Sequence, residues 1–308
     1  MTLKHLCDVD LPPHVTPSGF DHAAVHRASM RLYVAHTANN ALDVIDCMGD
    51  RYLGSIPDLA GVAGALVSDE RNLVFTSNRG ENTVGIFSPD DEASITRVSV
   101  GVRPNGLSYD PSRNLLLAAN VGDPAVPGSF TVSMVDVGQK TMIAAVPVPG
   151  RTRWTVFDPQ SDAFYVAIME PAQIAIIDAD RPMQVARTVD VPVTGPHGLD
   201  LDQQQRRLFC ACDGGSLVVL DARAYQILHR MVIGGVPDVV FFNAALRHLY
   251  VAIGDPGIIE VFDTETMACI ETVPTEKGAH TIAFDAGQNK VYAFLPQTHR
   301  AAVYVDEE

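Results

Sequence analysis

"HGLDLDQQQRRLFCACDGGSLVVLD", residues 197–221, decides the fold. A short alternating stretch is followed by a polar turn opened at Asp202, the apolar run "LFCAC", a glycine turn, and a second apolar run closing on Asp221. Alternation with period two, broken by turn residues at both joints, predicts three antiparallel strands rather than a helix. The same grammar returns in six further copies, among them "DHAAVHRASMRLYVAHTANNALDVID" at 21–46 and "DVVFFNAALRHLYVAIGDPGIIEVFD" at 238–263. A more variable fourth strand follows the triplets, as in "RYLGSIP" and "MACIETVP".

Aligned, the copies place Asp21, Ala63, Asn105, Arg153, His197, Asp238 and His280 at one position, at intervals of 42, 42, 48, 44, 41 and 42 residues. That period, with four strands per copy, predicts an all-β, seven-bladed propeller forming one domain over residues 1–308. The seventh copy runs out at "AAVYVDEE" after its third strand, whereas "LKHLCDV" precedes the first copy with the pattern of a fourth strand. The N-terminal strand is therefore expected to complete the last blade and remove an open sheet edge.

The D-P-x-x-R-x-L and L-Y-V-A patterns, present as "DPSRNLLLAAN" and "LYVAHTANN", resemble the YVTN or YncE-like seven-bladed propellers over essentially the whole chain. Asn78 and Asn120 match that family's strand-end asparagine, while Thr37, Met169, Asp213, Gly254 and Pro296 replace it in other copies. The resemblance implies fold; activity has to be argued from a site, because propellers host unrelated functions.

Composition narrows the partners. The 308 residues are 47% hydrophobic with a formal charge of −15, and the 22 Lys and Arg are scattered with no basic patch. Such a chain repels phosphate backbones, so nucleic acid is not expected as a partner. With no 18-residue apolar stretch and acidic residues at the start, neither membrane insertion nor a secretory signal is read, and the chain as given is expected to be cytoplasmic. Five cysteines without C-x-x-C spacing give no disulfide framework and no cysteine zinc site, and Cys210 aligns with apolar residues, predicting an inert core thiol. His36 likewise aligns mostly with packing positions and is expected to be buried and hydrogen-bonded.

The aligned position opens the innermost strand of each blade, so its seven residues should ring one mouth of the central channel. His197, Asp238, His280 and Asp21 come from consecutive blades once the ring closes, and imidazole with carboxylate suits one divalent metal ion or an acid-base pair. His197, Asp238 and His280 are accordingly the catalytic candidates. The same residue types also satisfy turn amides around a water-filled channel. Asn105, Arg153, Trp154 and His22 are candidate ligand contacts, Arg153 as an anion binder or as partner of Asp21 or Asp238. Two readings follow: a propeller that binds a small molecule or protein at this face, with loops 120–130 and 168–173 as a recognition surface; or a metal-dependent lactonase-, hydrolase- or lyase-type enzyme acting on a small anionic substrate. No G-x-S-x-G, H-E-x-x-H or haem motif is present.

Overall fold

In a computed structural model describing residues 2–307, the strands, numbered β1 to β28 in chain order, form seven four-stranded antiparallel sheets. The innermost strands are β2 (Ala23–His26), β6 (Val62–Ser68), β10 (Pro104–Asp110), β14 (Thr152–Asp158), β18 (Pro196–Asp202), β22 (Val236–Asn243) and β26 (Ile282–Asp285). Six blades are built from four consecutive strands. The seventh takes its outer strand from the N-terminus: β1 (Leu3–Asp10) pairs with β28 (Arg300–Asp306), from Leu3 opposite Asp306 to Asp10 opposite Arg300. Closure occurs as the missing fourth strand predicts.

Seven buried clusters hold the ring together, one between each pair of neighbouring blades. The L-Y-V-A motif explains part of this, since Tyr33, Tyr250 and Tyr292 are fully buried and aim their hydroxyls at the following blade. Tyr33 donates to Glu92 at 2.8 Å, Tyr292 to Asp50 at 2.7 Å, and Tyr250 to Asp306. Each ring thus supplies apolar area between sheets while its polar end is satisfied. The turn aspartates work locally: Asp110, Asp158, Asp202 and Asp285 accept backbone N–H bonds at 2.8–3.0 Å from the residue two positions on. Cys210 and His36 are fully buried, and His36 Nδ1 lies 2.7 Å from Asp43 Oδ2, as their aligned positions predict. No helix among the described residues is long and apolar enough to cross a membrane.

Candidate functional site

The ring position is a β-bulge in the five blades where it lies within a strand. Pairing of β6, β10, β14, β18 and β22 with their neighbours slips at Ala63, Asn105, Arg153, His197 and Asp238, so each belongs to a stretch outside the regular ladder. A bulge bends the strand and re-aims its side chain. Glycine follows the ring residue in three blades for a packing reason. A Cβ on Gly64, Gly106 or Gly198 would sit 2.3–2.5 Å from the carbonyl oxygen of Asn105, Arg153 or Asp238 in the next blade. In blade four that place is held by Trp154.

Three of the predicted ring residues meet. His197 Nε2 is 3.0 Å from Asp238 Oδ1, and His280 Nδ1 is 2.8 Å from Asp238 Oδ2. Nδ1 of His197 is also engaged, 2.7 Å from Asp213 Oδ1. Burial disfavours a charged His197, but Asp238 and Asp213 outweigh it and its pKa is raised to about 9. His280 moves the same way, burial again being overcome by Asp238. Asp238 is held well below the ordinary carboxylate range, because the two imidazoles offset the burial that would raise it.

Asp21 stands apart from this network. It pairs with Arg79 at 3.1 Å and with its neighbour His22 at 3.3 Å. The four residues of the expected metal arc, Asp21, His197, Asp238 and His280, are therefore not all drawn into one network. Both nitrogens of His197 point at carboxylates, and no group of three or more His, Cys, Asp or Glu among the described residues is placed to hold an ion. Arg153 is also corrected in its partner: its guanidinium faces Asp213 at 3.7 Å and Met169 Sδ at 3.4 Å, rather than Asp21 or Asp238. Asn105 is 5% exposed, with its side-chain oxygen unpartnered.

Trp154 and His22 meet beneath the mouth. Their rings pack at a tilt of 50° with centroids 4.1 Å apart, and Trp154 meets Phe241 of blade six edge-on at 6.3 Å. The indole thus reaches from blade four to blades one and six, and burial lowers the pKa of His22.

The sequence missed two parts of this mouth. Asp213 follows the second strand of blade five, where only a departure from a family asparagine was visible, yet it joins His197 to Arg153. Arginines scattered along the chain also converge. The backbone bonds Arg79 N–H to Gly61, Val121 N–H to Arg103 and Met169 N–H to Arg151 show that all three arginines flank the inner-strand entries of blades two, three and four. The Arg151 guanidinium has its pKa lowered by burial and then by Arg153, Arg103 and Arg79, with Asp213 opposing. These charges act on one another because separation along the chain says nothing about separation around a closed ring.

No protein-family profile matches this chain, and no curated protein matches it by sequence. Among solved structures it is similar to a chain of Kuenenia stuttgartiensis hydrazine synthase, with a TM-score of 0.81 at 12% identity over 96% of each chain. It is also similar to a chain of a mitotic checkpoint complex, with a TM-score of 0.83 at 10% identity over 99% of this chain and 92% of that one. At such identity the likeness shows the seven-bladed propeller fold and nothing finer.

Proposed function

We propose that this chain is a YncE-like ligand-binding propeller whose channel mouth takes a small anion, a carboxylate or a phosphate, held by Arg79, Arg103, Arg151 and Arg153. One observation carries the reading. On a chain of formal charge −15, the inner mouth sets four guanidiniums and two imidazoles with raised pKa against three carboxylates, Asp21, Asp213 and Asp238. Nε of Arg79 and of Arg153 is buried without a partner, and like charges gathered in one place favour a counter-ion between them. A protein partner is less well supported: of loops 120–130 and 168–173, only Val126 is a large exposed hydrophobic.

Calorimetric titration with inorganic phosphate and with succinate tests this. Binding should weaken at least roughly tenfold in R103A/R151A, as expected when charge-assisted contacts are lost, and should fall with added salt. Absence of binding by the wild type, or equal binding by the double variant, would sink the reading. The enzymatic alternative uses the same mouth. It is favoured by the His280 side chain, 36% exposed against 11% for His197, which offers an imidazole oriented by Asp238 as a proton donor or acceptor.

A further inference from the structure

Against the Trp154–His22 pair lies a cavity of about 470 Å3, within the usual range for small-molecule sites. Its walls come from the inner strands of blades one to six. At one wall position the blades present Ala24, Leu66, Ser108, Val156 and Phe241; blade five presents Asp200. This carboxylate accepts the backbone N–H of Leu201 and, across the blade boundary, that of Phe242, each at 2.7 Å. Burial, with Asp202 acting in the same sense, pushes its pKa up to about 6. Two backbone bonds leave each oxygen with a lone pair still to offer.

We propose that this lower chamber is a second binding site, for an organic cation: an amine on a small apolar or aromatic body. Asp200 supplies the counter-charge. Trp154 and Phe241, perpendicular at 89°, supply π-faces that attract a cation in a desolvated setting. The roof does not oppose the ligand, since burial favours neutral His22. At the far rim Arg27 is bound to Asp69 at 2.8 Å, so its charge is already balanced. Ser108 and Thr155 hydrogen-bond to each other and make no demand on a guest. The inference is independent of the anion site above, none of whose arginines lines this cavity.

Trp154 is the only tryptophan, so its fluorescence reports occupancy. Phenethylamine should change the emission saturably and bind at least roughly tenfold more tightly than phenethyl alcohol, its uncharged analogue. The D200N variant should bring the two ligands close to parity. Because Asp200 also staples blades five and six, D200N could unfold; A24F, which sets a ring into the chamber, should weaken binding of both ligands at least roughly tenfold while leaving the melting transition and phosphate binding at the mouth intact. A wild type that gives no saturable change, that binds amine and alcohol equally, or that is matched by folded A24F overturns the proposal.

Discussion

His197 offers both ring nitrogens to carboxylates, Asp213 at 2.7 Å and Asp238 at 3.0 Å, an arrangement that suits an imidazolium better than a metal ligand. This has a pH consequence with a definite sign. The folded-state pKa of about 9 lies above the ordinary value of 6.5, so the interaction contributes in full below about pH 6.5 and is lost as pH rises through 9. We expect the stability gap between wild type and H197Q to shrink by up to roughly 3 kcal/mol from pH 6 to pH 10, the size implied by such a shift. Chemical denaturation at both ends of that range measures it. A gap that stays constant or widens with alkali would show that His197 is neutral in the native state.

Among the elements, the bulged inner strand does most to shape the site. It turns the ring residue of five blades out of the ladder, and in three of them the glycine after it lets the neighbouring blade approach. Gly198 shows how tight the fit is: a methyl group there would lie 2.3 Å from the carbonyl oxygen of Asp238. Gly198→Ala should therefore wedge blades five and six apart and loosen the His197–Asp238 contact. Overpacking of this kind destabilises by about 1–3 kcal/mol. Equilibrium unfolding, with a titration of His197 by NMR, should show lower stability together with an imidazole pKa nearer its ordinary value; an unperturbed variant would mean that the two strands are not held at this separation.

For the whole molecule, closure through β1 is the decisive contact. Leu3 and Val9 are 2% and 4% exposed, and β1 covers the edge that β28 would otherwise present to solvent. Burial of such side chains contributes about 1.5–3 kcal/mol each, and an uncovered strand invites pairing between copies. Removal of residues 1–10 should abolish the single cooperative transition or cause aggregation, read by calorimetry and light scattering. A truncated chain that melts like the wild type would argue that the other six interfaces suffice.

Seven copies at intervals of 41 to 48 residues, with turn aspartates and strand-ending "VID" or "VFD", determined blade number and strand order by themselves, because they are local patterns repeated. The incomplete last copy likewise announced the closing strand. The ring of Asp21, Asn105, Arg153, His197, Asp238 and His280 was legible as a set of places. Its pairing was not, since a bulge decides where a side chain points and no sequence spacing records that angle. So Asp213, sixteen positions beyond His197, became its partner, and Trp154 became a bridge from blade four to blades one and six where Gly198 is a close-packing gap in the next blade. Arg79, Arg103 and Arg151 came to act on one another for the same reason: closing the ring brings within electrostatic reach charges that lie tens of residues apart, and only the tertiary structure decides which they are.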